Sequence, residues 1–264
     1  SINLVGSVVG PTVLRLRARL DDGSEMSATS SIAFATPTGL HVTCSQALLG
    51  GYADGAPYGQ CGGHSPVFTN SSWRWTFSFD SDAGPLPVYN PSITVQGSAV
   101  TFDDTNDWFQ SGATDGTAEV VIASRLFAED VPVKVVLPAD VVSGEVRLVT
   151  LSDGIEQPIA DLGPAPTRWY PIPHIPFDGD DGTQMILPRL TLADGTEAYG
   201  GGGLFTSDHP EICYFYANPQ DQTGGFIQET ALDPQCYRIG EVSFSAMIGA
   251  ASITWPVTVE QPSQ

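Results

Sequence analysis

The chain has 264 residues, enough for one large domain or two ordinary ones with real hydrophobic cores. Ten Lys and Arg stand against 30 Asp and Glu, a formal net charge of −20 that repels phosphate backbones and anionic lipid, so nucleic acid and direct membrane insertion are poor expectations. Charged residues are only 15% of the chain while Gly (28) and Pro (21) are abundant, and no apolar run reaches the length that spans a bilayer, which points to many short strands and turns.

In chain order the first element is "SINLVGSVVG". Its residues Ile2, Leu4, Gly6 and Val8 fall on one face of an extended segment. The next strand alternates Leu14, Leu16, Ala18 and Leu20 with Arg15, Arg17 and Arg19, and ends at an Asp-Gly pair. Asp-Gly favours positive φ in a tight turn and marks a hairpin. The same phrase, a leucine strand followed by Asp-Gly and Glu, recurs at "VRLVTLSDGIEQ" and "PRLTLADGTEA". The three arginines form a basic stripe. It is read either as an exposed strand face answered by acids across the strand, or as a surface that docks on the acidic face of a neighbouring copy.

Strands are expected at "SIAFAT" and "HVTC", then a Gly-rich loop between Cys44 and Cys61, then "WRWTFSF" and "PSITVQGSAVTF". In "WRWTFSF" the residues Trp73, Trp75, Phe77 and Phe79 share one face, as a core strand does; an exposed aromatic platform for sugars is the other reading. After the third Asp-Gly the order repeats: a strand around Cys213, a loop to Cys236, "EVSFSAMI" and "ASITWPVTV". This predicts an internal duplication of about 75–90 residues per copy. Four cysteines in two local pairs, Cys44 with Cys61 and Cys213 with Cys236, lack the close spacing of zinc thiolates and read as disulfides of an oxidising compartment. The start at Ser1 is what a cut signal peptide leaves, although a trimmed chain looks the same. An acceptor sequon stands at Asn70.

Between the copies come "AEVVIASRLF", "VPVKVVLP" and "GEVRLVTL", three strands attached here to the first copy because three alone make no sandwich. Five prolines from Pro164 to Pro176 follow, and they hold the backbone extended. The expected domains are therefore residues 1–163, a Pro-rich linker at 164–176, and residues 177–264. The expected fold is all-β, as two β-sandwich domains of Ig-like or Greek-key-like type.

No nucleophile elbow, phosphate loop, dinucleotide fingerprint or zinc-protease motif is present, so no catalytic residue is assigned. Two acidic clusters, Asp178, Asp180 and Asp181 in one and Asp103, Asp104 and Asp107 in the other, are read as solvated turns or as calcium ligands, and calcium is the one cofactor considered. Trp73, Trp108, Trp169 and Tyr199 are the candidate glycan-contacting aromatics.

The N-terminal alternation resembles the donor strands of chaperone-usher pilins, and the strand-Asp-Gly-strand phrase resembles bacterial immunoglobulin-like surface domains. Those resemblances imply a secreted or cell-surface structural subunit, or an adhesive component of a filament or surface layer. Its partners would be copies of itself or other surface proteins, joined by β-strand addition through residues 1–9. A secreted carbohydrate-binding module or glycan-acting enzyme is the alternative function, and a virion surface protein is the second.

Overall fold

A computed structural model of the chain describes residues 10–49, 63, 65–82, 84–88, 90–151, 159–169, 171, 184–200, 203–215, 224–227 and 234–261. The described residues carry strands, turns and one short 3-10 turn at Pro138–Asp140. The chain opens with β1 (Gly10–Arg19) and β2 (Glu25–Phe34). Next come β3 (Pro37–Leu49), β4 (Val67–Phe68), β5 (Ser71–Ser81), β6 (Leu86–Pro87), β7 (Ser92–Gln96), β8 (Val100–Asp103), β9 (Trp108–Ser111), β10 (Gly116–Ala123) and β11 (Ala128–Val136). Then follow β12 (Val141–Leu151), β13 (Ile159–Pro164), β14 (Arg168–Trp169), β15 (Gln184–Leu192), β16 (Glu197–Tyr199) and β17 (Gly203–Ser207). The last are β18 (Cys213–Phe215), β19 (Gly224–Ile227), β20 (Pro234–Cys236), β21 (Gly240–Ile248) and β22 (Ala251–Val259).

Two sandwiches follow from the way these strands bury alternate residues. In the first, the sheet β4-β11-β10-β7 faces β3-β5-β9-β8, with β6 beside β5. Val120, Ile122, Val131, Val133 and Val135 of one sheet pack against Trp73, Trp75, Val100 and Phe109 of the other. The second sandwich sets β13-β12-β15-β16 against β14-β22-β21-β17-β19. Its β22 alternates without a fault: Ala251, Ile253, Trp255, Val257 and Val259 point into the core, and the residues between them are exposed. That period of two is what a half-buried antiparallel strand requires.

The strand pairing divides the chain differently from the sequence expectation. β12 pairs with β15 over Val141–Thr150, and β13 pairs with β12, so residues 141–151 and 159–164 lie in the second sandwich and not the first. The short turn at Pro138–Asp140 separates the two. The described part of the Pro-rich stretch is no free linker either. Ala165 and Trp169 are buried in the second core, β14 lies parallel to β22, and Trp169 Nε1 donates to the Pro166 carbonyl at 2.9 Å. Prolines keep the segment extended, but the two aromatic walls of Phe244 and Trp255 hold Trp169 in place.

Among the described strands the topology does not repeat. β5, carrying "WRWTFSF", and β7, carrying "SITV", sit in opposite sheets, whereas their expected counterparts β21 and β22 are hydrogen-bonded neighbours. What does recur is the turn. Leu20 N–H bonds to Ser24 O at 2.8 Å and Gly23 N–H to Leu20 O at 2.9 Å; Leu192 N–H bonds to Thr196 O at 2.9 Å and Gly195 N–H to Leu192 O at 2.8 Å. Gly23 and Gly195 both have φ of 83°, while the Asp before each has negative φ, so these are three-residue loops with one left-handed glycine. The turn of the middle copy, with Asp153 and Gly154, falls at residues 152–158, outside the described residues.

The sandwiches share material at their junction. Phe68 and Val136, from the first set of strands, belong to the second hydrophobic core. Lys134 on β11 pairs with Asp194 in the β15–β16 turn. That lysine hydrogen bond, with help from Thr196, holds the Asp194 carboxyl well below the usual carboxylate range. The folded pKa is depressed, so this contribution is present above the ordinary Asp value and is lost as pH falls through the folded one.

Ser111 ties three strands together in the first sandwich. Its buried hydroxyl accepts from Ser71 N–H at 2.8 Å and donates to the Phe68 carbonyl at 2.7 Å. Ser111→Ala leaves that amide and carbonyl without their partner, and is expected to lower stability by about 1–3 kcal/mol. Denaturant unfolding should show a lower midpoint at unchanged slope; an unchanged midpoint would contradict the role given to the hydroxyl.

Candidate functional site

The first feature that distinguishes this surface is the β1–β2 hairpin. The two strands pair residue for residue from Gly10↔Phe34 to Arg19↔Glu25, and among the described residues neither pairs with any other strand. From Val13 to Ser31 every residue is exposed except Leu14, which is half-buried. The register sorts the side chains by face. Leu14, Leu16 and Ala18 stand opposite Ser30, Ala28 and Met26, while Arg15, Arg17 and Arg19 stand opposite Thr29, Ser27 and Glu25. One face is therefore apolar and the other basic. Among the described residues none of the three arginines makes an ion pair, so cross-strand acids do not answer the stripe. Leu16 (47% exposed), Leu20 (45%) and Met26 (61%) lie open to solvent on the apolar side.

The second feature is a cleft of about 1000 Å³ at one side of the first sandwich. It opens where the chain crosses from β7, the last strand of one sheet, to β8, the last strand of the other. Trp75, Phe77, Phe102 and Phe109 form its aromatic walls, and Ile93 and Val95 of β7 complete the apolar lining. Phe77, Ile93, Val95 and Phe102 are only partly buried, so the core is incompletely covered there. Asn90, Asp104 and Asp107 stand at the polar margin and are exposed. Arg74 steadies this margin: its guanidinium donates to the Asn106 carbonyl at 2.7 Å and lies 4.5 Å from the centroid of the Trp108 ring.

The candidate aromatics are thus not a platform. Trp73 and Trp169 are buried, at 0% and 1% exposure, and Arg74 covers a face of the half-buried Trp108. Trp73 stacks on Phe109 with centroids 5.8 Å apart, which agrees with the core reading of "WRWTFSF". Tyr199 is half-buried in a charge network on the outer side of β12, β13, β15 and β16. There Arg147 Nε meets both oxygens of Asp161 at 3.0 Å, and Arg189 reaches Glu145 and Asp161 at 3.5 Å and pairs with Glu197. Burial, then the Asp161 charge, push the Tyr199 hydroxyl up. The carboxylates Glu145, Asp161 and Glu197 each face an arginine, which suits cross-strand cohesion more than proton transfer.

The acidic clusters separate in the same way. Asp103 turns back on its own loop, accepting from Thr105 N–H at 2.9 Å and from Asn106 Nδ2 at 2.8 Å, and these bonds hold its carboxyl below the ordinary range. Among the described residues no three His, Cys, Asp or Glu side chains converge on one point. Asp178, Asp180 and Asp181 lie outside the described residues, as do Ile2, Leu4, Gly6, Val8 and Cys61. Sequence reasoning missed the cleft altogether. It shows only in the structure, as the partial exposure of Phe77 and Phe102, which no periodicity reports.

Cys213 and Cys236 form a disulfide, with Cα atoms 4.0 Å apart across the β18–β20 pair. Next to it Tyr214 and Tyr237 stack with centroids 5.6 Å apart. No helix of the described residues is long and apolar enough to cross a membrane.

No protein-family model matches the chain, and no curated protein does. Among solved structures, a surface layer protein SbsC structure of domains 1–6 aligns with 99% of this chain at 12% identity and a TM-score of 0.28; the chain covers 36% of that protein. SbsC domains 4 and 5 align with 84% of the chain and 98% of their own length at 13% identity, TM-score 0.26. The titin Ig tandem A164–A165 aligns with 86% of the chain and 100% of its own length at 8% identity, TM-score 0.22. Scores this low carry no argument, and the sandwich assignment rests on the strand pairing itself.

Replacing both Cys213 and Cys236 by Ala opens a loop whose ends are 23 residues apart. The double variant is expected to lose about 2–4 kcal/mol of stability. Thermal melting checks this, and a melting temperature equal to that of the parent would show the bond to be energetically idle.

Proposed function

We propose that this protein is a structural subunit of an extracellular or surface assembly, whose copies join by β-strand addition. The observation that carries the reading is the β1–β2 hairpin: ten residue pairs, two outer edges unpaired among the described residues, and an apolar face that no described part of the chain covers. A two-stranded hairpin is marginal in water by itself, and a long exposed edge is a template for pairing with another chain. Proteins that remain monomeric usually blunt such an edge with a bulge or a cover; the register of β1 and β2 runs unbroken. Leu16, Leu20 and Met26 are each about half exposed, and burying the remainder of each on association contributes about 1 kcal/mol, which the monomer forgoes.

The strand that adds is then β1 or β2 and not the segment 1–9 alone. The Cys213–Cys236 disulfide supports an oxidising, extracellular compartment. A glycan platform has less support, because Trp73 and Trp169 belong to the two cores.

Sedimentation of the intact chain over a range of concentrations should show self-association, and a chain lacking residues 10–34 should remain monomeric with its thermal transition retained. Both sandwiches keep every described strand pairing in that deletion. Equal association by the shortened chain would overturn the proposal.

A further inference from the structure

The two short strands that carry the disulfide have an outward face that lies outside both cores. Cys213 and Cys236 stand opposite one another in the β18–β20 register, 0% and 2% exposed, within the second core. Successive side chains of a strand point to opposite faces, so the residue after each cysteine points away from that core. Those residues are Tyr214 and Tyr237. Tyr214 is paired with Gln235 on one side of the disulfide, and on the other Tyr237 N–H bonds to the Ile212 carbonyl at 2.9 Å. The two tyrosines are therefore diagonal neighbours on one face, a separation that aromatic side chains span. Their ring planes lie 19° from parallel with centroids 5.6 Å apart, and their hydroxyl oxygens are 3.2 Å apart. The rings thus lean together at the phenol end, which brings the ring carbons ortho to each oxygen toward one another. The pair is open to solvent, since Tyr237 is 55% exposed and Tyr214 is half-buried.

We propose that Tyr214 and Tyr237 are a site of oxidative cross-linking, at which a haem peroxidase using hydrogen peroxide joins them as dityrosine, a tie that backs the disulfide. The peroxidase takes one electron and one proton from each phenol, and these reduce one hydrogen peroxide to two waters. The two phenoxyl radicals couple through their ortho carbons and form one carbon–carbon bond. The hydrogens on those carbons then pass through water to the phenolic oxygens as the rings regain aromaticity, so the product has two hydrogens fewer than the pair. Because the fold already holds the partners side by side, the coupling needs no encounter between chains. The new bond joins residues 23 apart in sequence, the same span as the disulfide, on the opposite face of the same strands. Thiols exchange with a disulfide and do not cleave a carbon–carbon bond, so the tie persists where Cys213–Cys236 is reduced. Neither the chemistry nor its test depends on the β1–β2 hairpin.

The test treats the full chain, at concentrations where sedimentation shows a monomer, with a haem peroxidase and hydrogen peroxide. Dityrosine fluorescence should appear, and peptide mapping after reduction should find Tyr214 and Tyr237 in one cross-linked species lighter by two hydrogens. Tyr214→Phe and Tyr237→Phe each keep the ring and remove one phenol, and each should lower the yield at least about tenfold. Near-ultraviolet circular dichroism establishes that the variants are folded, and the peptide map of the parent decides the site where a variant is not. Coupled and uncoupled parent chains melted in reductant should differ, with the coupled chain keeping the higher melting temperature.

Three outcomes overturn the proposal. Dityrosine formed equally well by both folded Phe variants places the reaction at other tyrosines. Cross-links that join only different chains, with a yield that rises with protein concentration, show that the fold does not prepare the pair. Equal melting temperatures for the coupled and uncoupled chains in reductant remove the tie from any part in holding β18 to β20.

Discussion

A backbone amide or carbonyl at the edge of a sheet pairs with water or with another chain, and proteins that stay monomeric keep long edges away from apolar side chains. The β1–β2 hairpin breaks that condition, since its ten-residue edges run beside Leu16, Leu20 and Met26. The same strand carries three of the ten positive charges in the chain, all on the opposite face. A surface strand that is apolar on one side and cationic on the other, in so acidic a protein, is organised for contact with something apolar and anionic.

The rest of the architecture holds the cleft of the first sandwich in place. The first sandwich is braced internally by Ser111 and by the Trp73, Trp75 and Phe109 cluster. It is continuous with the second through Phe68 and Val136, which leave their own sandwich to complete the neighbouring core. Lys134 and Asp194 add a polar link at the same junction. Close approach also shapes the second sandwich: a Cβ on Gly144 would lie 2.8 Å from Ile253 and Leu190, and one on Gly249, at φ 59°, would lie 1.9 Å from the Pro138 carbonyl. Those glycines let the β21–β22 turn settle against the segment that joins the sandwiches.

Much of the fold is legible in the sequence because strands announce themselves by alternation. The aromatic face of "WRWTFSF", the core face of "SITWPVTV" and two Asp-Gly hairpins follow from a period of two and from the backbone demands of a turn. Pairing partners do not follow. Strand order depends on contacts distant in sequence, so "GEVRLVTL" reads as part of the first sandwich and lies in the second. Two similar strings of features likewise read as copies, although β5 and β7 part company where β21 and β22 stay together. The arginine stripe is visible as a string of residues. That Thr29 and Ser27 face Arg15 and Arg17, leaving them without acids, needs the register. The cleft is invisible in the sequence, because it is the absence of a cover over residues that look like any other core.

Hydrogen exchange of the β1 and β2 amides, followed as protein concentration rises from the monomeric range, tests the central claim most directly. Unpaired edges predict weak protection of this hairpin in the monomer, rising strongly with concentration while both sandwiches stay protected throughout. Protection of the hairpin equal to that of the cores at the lowest concentration, or none at the highest, would contradict the account.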